Sequence, residues 1–215
     1  MKMAMERREE NLFREWKRKY GEQFIADGVV NEAAFDASPL PRLVFVLKEV
    51  DDCAPGFDLR SFIEAGSPKN GGHTFAPMAR WVSAVRGREI NFAPEEERKR
   101  VLLPVAVMNL KKTTGGAITR YGALHAAVMA DREFLKEQIR LYLDKPTCFA
   151  CCGNQVFDLF CDVMGGLPVE NCSGTDYCRL DGRCLAFRFY HPNAKIGGLA
   201  SCFKAAVEKL NRLQA

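Results

Sequence analysis

Two rhythms of apolar and polar positions run along this chain. Between residues 7 and 20, Leu12, Phe13, Trp16 and Tyr20 recur at helical spacing, which predicts an amphipathic helix at the start. "RLVFVLKEV" at 42–50 is a short apolar run of β-branched and aromatic residues, the mark of a strand covered on both faces. A long irregular stretch rich in Gly and Pro follows, until "FAPMARWVSAV" offers another helix. "VLLPVAVMNL" at 101–110 predicts a second buried strand that begins after Pro104, because proline cannot donate to a central ladder. "ALHAAVMADREFLKEQIRLYL" at 123–143 reads as one helix, with Leu135, Ile139 and Leu143 along a stripe. "PTCFACCGNQ" predicts a third strand running into Gly153, and "QVFDLFCDVM" a helix behind it. "CLAFRFY" is the fourth strand, and "GLASCFKAAVEKLNRL" the closing helix, with Phe203, Val207 and Leu210 on one face.

Buried strands alternating with helices imply a parallel sheet with helices on both sides, since parallel neighbours need crossover connections. The expected fold is therefore α/β, a three-layer α/β/α sandwich. At 215 residues the chain is large enough for one domain with a sizeable core, so residues 1–215 are read as a single domain with an N-terminal helix, within residues 1–40, packed on it. No repeat, low-complexity segment or linker divides the chain.

Composition narrows the class. Hydrophobic residues make up 47% and charged residues 27%, the balance of a globular protein. The first twenty residues are charged throughout, so no secretory signal is expected, and no stretch approaches the roughly 20 apolar residues that span a bilayer. A cytoplasmic protein with no membrane partner is expected. Nine cysteines are an odd number, and Cys148, Cys151 and Cys152 fall inside one predicted strand, which argues against a closed disulfide framework. Cys172, Cys178 and Cys184 lack the paired Cys-x-x-Cys spacing of zinc or cluster sites, so reduced thiols, no metal and no cofactor are expected. A net charge of +4 permits a nucleic-acid partner without requiring one.

Open α/β sheets bind ligands at the carboxyl ends of their strands. Here those ends carry Lys48 and Glu49, then Asn109 with Lys111 and Lys112, then Gly153 and Asn154, then His191 and Asn193. A carboxylate, an amide and an imidazole thus belong to one predicted edge. Each has a bland reading: Glu49 as a solvated residue, Asn109 as a turn former, His191 as a polar stop enforced by Pro192. Together they predict a shared site. His73, in a Gly-rich loop, and His125, within a helix, have no such placement. Phosphate loops, dinucleotide fingerprints and the nucleophile elbow are absent.

"FRFYHPNA" resembles a signature of the uracil-DNA glycosylase superfamily, whose last core strand runs into a His-Pro-Ser loop. The order of strand ends over residues 40–213 is similar too, with weaker support from "VMNLKK" and "CCGNQ". Lys48 stands where members have glycine, and Asn193 where they have serine. The resemblance implies a central four-stranded parallel sheet in the order 2-1-3-4, DNA as partner, and hydrolysis of the N-glycosidic bond of a flipped, damaged base, uracil first and hypoxanthine second. It implies that Glu49 orients or activates water, Asn109 reads the base edge and His191 hydrogen-bonds the base carbonyl, with Asn193 beside them. On that reading Phe57 or Phe75 supplies an aromatic platform for the base. Lys111, Lys112, Arg120 and Lys195 meet phosphates, and Ile196 is a wedge. Two alternatives stay open: a non-catalytic module that binds nucleic acid or a nucleotide through the same edge, and a hydrolase of free nucleosides.

Overall fold

The computed structural model describes residues 7–67, 72–88, 90–91, 94–116 and 120–213. In chain order the strands are β1 (Gly28–Val29), β2 (Arg42–Leu47), β3 (Val105–Asn109), β4 (Thr147–Cys152), β5 (Glu170–Cys172), β6 (Thr175–Arg179) and β7 (Cys184–Phe189). The helices are α1 (Glu10–Tyr20), α2 (Glu32–Asp36), α3 (Leu59–Glu64), α4 (Gly72–Val85), α5 (Glu95–Leu102), α6 (Tyr121–Ala130), α7 (Arg132–Arg140), α8 (Asn154–Val163) and α9 (Leu199–Arg212).

One mixed sheet runs in the order β1-β3-β2-β4-β7-β6-β5. The four apolar runs form its parallel centre, and nearly all their residues are buried because both faces are covered. Leu43, Phe45, Val107, Ala150 and Phe187 face α3, α4, α5 and α9. The alternate residues, among them Val44, Met108, Phe149 and Ala186, face α1, α2, α6, α7 and α8. The period-two alternation of strand side chains therefore feeds two separate cores.

The expectation of a central four-stranded parallel sheet is corrected: among the described residues the sheet is mixed and has seven strands. β1 pairs antiparallel with β3, and the β5–β6 hairpin pairs antiparallel with β7. These strands are two to five residues long and partly exposed at the β5 edge, too short to leave a clear alternation. The single helix expected over 123–143 is two, α6 and α7, broken at Asp131. That carboxylate is buried and accepts hydrogen bonds from Lys19 Nζ at 2.6 Å and Tyr20 OH at 2.8 Å, tying the break to α1. Residues 7–40 hold α1, β1 and α2 rather than one helix. The irregular stretch after β2 contains α3, capped by the Asp58 side chain; residues 68–71 of that stretch lie outside the described residues.

The cysteines are all unpaired. Burial pushes the Cys148 thiol up to about 12 and that of Cys184 to about 11, which keeps both protonated at neutral pH. Among the described residues no helix is long and apolar enough to cross a membrane, and no group of three or more His, Cys, Asp and Glu side chains is arranged to hold a metal ion.

At the β1–β3 end of the sheet lies a buried polar network. Lys112 and Asp27 are both fully enclosed, with Lys112 Nζ 2.6 and 2.7 Å from the two carboxylate oxygens. Gln138 Nε2 donates to Asp27 at 2.9 Å, and Tyr142 OH donates to Glu9 at 2.7 Å. Removing one member of such a pair strands the other charge in the core, whereas neutralising both costs little. Asp27→Asn is thus expected to lower stability by roughly 3–5 kcal/mol, and Asp27→Asn combined with Lys112→Met to regain most of it. Urea unfolding of the two variants checks this; equal losses would count against the pair.

Candidate functional site

The parallel register sets the ends of β2 and β3 level, with Leu47 opposite Asn109. The pairing then continues beyond both strands: Leu110 N–H donates to Leu47 O, Lys111 N–H to Lys48 O, and Gly115 N–H to Val50 O. Glu49 is held between these bonds. Its side chain is almost enclosed, and Lys111 Nζ lies 2.5 Å from Oε2. Gly115 packs flat against it, since a Cβ there would stand 2.1 Å from Glu49 Cδ. The requirement for glycine is steric close approach, not an unusual backbone angle.

Asn109 closes β3. Its backbone N–H donates to Asp27 Oδ2 at 2.7 Å, and its side-chain Nδ2 lies 3.4 Å from the same oxygen. The residue is 1% exposed and its Oδ1 has no hydrogen-bond partner among the described residues. At the end of β7, Gly153 N–H donates to Phe189 O at 2.8 Å, with Gly153 at a φ of +124° that favours glycine. The chain then turns through His191-Pro192-Asn193, with Ala194 N–H donating to His191 O at 2.9 Å. Pro192 pre-sets the turn. Asn193 N–H donates to His191 Nδ1 at 3.2 Å, so Nδ1 is the acceptor nitrogen and the neutral ring carries its proton on Nε2. His191 is exposed by its accessible surface, but desolvation by the surrounding atoms, and then the charge of Lys48, hold the imidazole below its ordinary 6.5.

These three strand ends line one cleft of about 1050 Å³. Glu49, Asn109, His191, Asn193, Phe57 and Phe75 all contribute to its wall. Phe57, Phe62 and Phe75 form a chain of rings with centroids 5.6 and 6.1 Å apart; Phe75 is buried and Phe57 half-buried. The arrangement combines a neutral N–H donor, a carboxylate fixed by a lysine, an enclosed amide oxygen with no partner among the described residues, and an aromatic surface. Such a set can hold a flat polar ring and stabilise negative charge that develops on it.

The expected phosphate contacts divide. Lys112 is corrected outright: its side chain points inward to Asp27, with Nζ 5.0 Å from the Trp16 ring centre, and cannot meet a phosphate. Lys111, pointing the opposite way, is committed to Glu49 and to Thr114 O at 2.8 Å. Arg120 and Lys195 are exposed, as is Ile196 at 49%. Gly153 and Asn154 do not line the cleft; they hold β7 and begin α8.

Several lining residues are additions. His73, expected in a Gly-rich loop with nothing to place it on the edge, lies near the start of α4 and joins the wall, whereas His125 stands exposed on α6 against Tyr121. Asp51, Asp52, Cys53 and Thr74 also line the cleft. Asp52 has a φ of +38°, the left-handed region that Asp tolerates better than most residues. Burial and then Asp52 raise the Cys53 thiol, which makes it a poor nucleophile at neutral pH. The adjacency of "KEVDDC" was the available signal for the acids; Asp27, a lone acid in the apolar "FIADGVV", was the signal for the support beneath Asn109.

An NMR titration of the His191 ring is expected to show an Nε2–H tautomer at pH 7 and a midpoint below 6.5. Because the folded state disfavours the imidazolium, the neutral donor is present above that midpoint and is lost only as the pH falls through it. Lys48→Met should move the midpoint upward; a wild-type midpoint above 6.5 would contradict this account.

No protein-family model matches the chain, and no curated protein is similar to it at a significant level.

Proposed function

We propose that this chain is an N-glycosyl hydrolase that acts on a damaged base turned out of DNA, in the manner that the likeness of "FRFYHPNA" to uracil-DNA glycosylases implies. One observation carries the reading: Glu49, Asn109 and His191, from the ends of three different parallel strands, line one cleft with Phe57 and Phe75. The run β3-β2-β4-β7 lends support, since those four parallel strands, numbered alone along the chain, read 2-1-3-4.

Breaking an N-glycosidic bond leaves a cationic, oxocarbenium-like sugar and an anionic base. The neutral His191 Nε2–H donates to the base oxygen as charge builds there, without a proton having to be lost first. The Glu49 carboxylate, held by Lys111, orients water and faces the sugar cation. Phe57 stacks on the ring, and Asn109 reads its edge. Extruding a base costs a few kcal/mol, least where pairing is already weak, so mismatched or single-stranded sites are favoured. Lys195 and Arg120 meet the phosphates, and Ile196 enters the gap.

Base release from oligonucleotides containing uracil, hypoxanthine, xanthine or a normal base tests the reading. His191→Ala and Glu49→Gln are each expected to slow release by about 10²–10³-fold. Full activity in both variants would remove the site assignment. Lys195→Ala is expected to weaken binding across all sequences and to reduce the salt slope by about one.

A second reading is favoured by Asp51 and Asp52 in the cleft wall and by the withdrawal of Lys112. Carboxylates repel a polyanion, and a free nucleoside carries no phosphate. Release from nucleosides with little affinity for oligonucleotides would select this reading. Binding without release from either would select a recognition module on the same cleft.

A further inference from the structure

Two of the unpaired thiols lie against each other in the core that covers one face of the sheet. Cys161, near the end of α8, and Cys178, on β6, have their sulfurs 3.5 Å apart and share a hydrogen bond. They stand 17 residues apart along the chain. Between them the chain leaves α8 through Gly165 and Gly166, both at positive φ, and passes along β5. Cys148 and Cys152 belong to the opposite core. Bonded sulfurs lie about 2.05 Å apart, so an approach of about 1.5 Å would join this pair.

The two sulfurs are not equivalent. Cys161 is 5% exposed and Cys178 fully enclosed. Their shared hydrogen bond holds the Cys161 thiol below its ordinary value and raises that of Cys178; burial, Asp158 and Asp162 oppose ionisation of Cys161, and Arg188 favours it. The more accessible sulfur is therefore also the one that loses its proton more readily, and the thiolate is the form that attacks. We propose that Cys161 and Cys178 form a dithiol site that a hydroperoxide converts to a disulfide within the folded protein, tethering α8 to β6. The Cys161 sulfur attacks one oxygen of hydrogen peroxide, the O–O bond breaks, and the other oxygen leaves as water with the thiol proton, which gives a sulfenic acid. The Cys178 sulfur then attacks the Cys161 sulfur, the S–O bond breaks, and a second water carries off the Cys178 proton. The dithiol loses two electrons and two protons, and the peroxide is reduced to two waters. The inference is independent of the base-binding reading.

The test uses the full chain, reduced, freed of reductant and exposed to hydrogen peroxide in native buffer, with a parallel sample oxidised in urea. Remaining thiols are then blocked with N-ethylmaleimide in urea at mildly acidic pH, and the chain is cut by a protease that cleaves before aspartate. Cys161 then lies in 158–161, Cys178 in 176–180, Cys172 in 162–175, and Cys148, Cys151 and Cys152 in 144–157, so mass spectrometry separates the pairings. The folded chain is expected to yield 158–161 linked to 176–180, two hydrogens lighter than the free peptides together, before any change in 144–157. In Cys178→Ser the sulfenic acid meets no second thiol, and a 1,3-diketone should capture it on Cys161. In Cys161→Ser, Cys178 should remain a free thiol. Oxidation of the wild type should also raise the urea midpoint, because closing the loop between the two residues restricts the unfolded chain, and dithiothreitol should restore the original value.

Recovery of Cys161 and Cys178 as free thiols from the folded chain, with oxidation confined to the exposed Cys202 or the half-buried Cys53 and Cys172, overturns the site. A link from 158–161 to 144–157 overturns the pairing, and a 158–161 to 176–180 link that forms only in urea overturns its assignment to the folded protein. Should either serine variant not fold, the peptide map of the wild type decides by itself.

Discussion

A lysine and an aspartate enclosed together at one end of the sheet organise much of what surrounds them. Lys112 lies under Phe13 and Trp16, and Asp27 sits just before β1. Their attraction therefore joins the N-terminal segment to the loop that leaves β3. Two charges in a protein interior are tolerable only when each is the other's partner and the remaining valences are filled. Here the backbone of Asn109 and the side chain of Gln138 fill them. The rings of Phe13 and Trp16 on α1 and the backbone N–H of Asn109 all meet that arrangement.

A second ion pair does related work at the neighbouring strand end. Lys111 and Lys112 are consecutive, so their side chains leave the backbone on opposite sides, one toward Glu49 and one toward Asp27. Each lysine orients a carboxylate, and neither serves as a solvated cation. The cleft therefore draws less electrostatic attraction for a polyanion from this loop than a run of two lysines suggests. Arg120 and Lys195 are exposed and lie outside the cleft lining.

The cleft is built from strand ends that differ in what holds them. Glu49 is fixed by a continued β2–β3 ladder and by the absence of a side chain at Gly115. His191 is fixed by a proline turn and by the backbone N–H of Asn193, which also determines which ring nitrogen carries the proton. Neither device lies in a regular element. Both nevertheless depend on the register of buried strands, because a one-residue slip would exchange the faces on which these residues emerge.

The amino-acid sequence by itself determined the four central strands and the helices α1, α4, α8 and α9. Continuous apolar runs such as 43–47 and 148–152 can be satisfied only between two covered faces, and that physical demand is local to the run. It also placed Glu49, Asn109 and His191 at strand ends, from which a common edge follows. The short strands β1, β5 and β6 were beyond it, since a few residues paired at an edge carry no periodicity. The division of 123–143 at Asp131 was likewise invisible, because a partner more than a hundred residues away decides it. Tertiary structure alone decided the direction of Lys112, the recruitment of His73 and the acids of 51–52, and the alignment of the Asn109 amide. In each case the side chain's role is set by which opposite charge or open space lies within a few ångströms of it, and that distance is a property of the packed molecule rather than of neighbours along the chain.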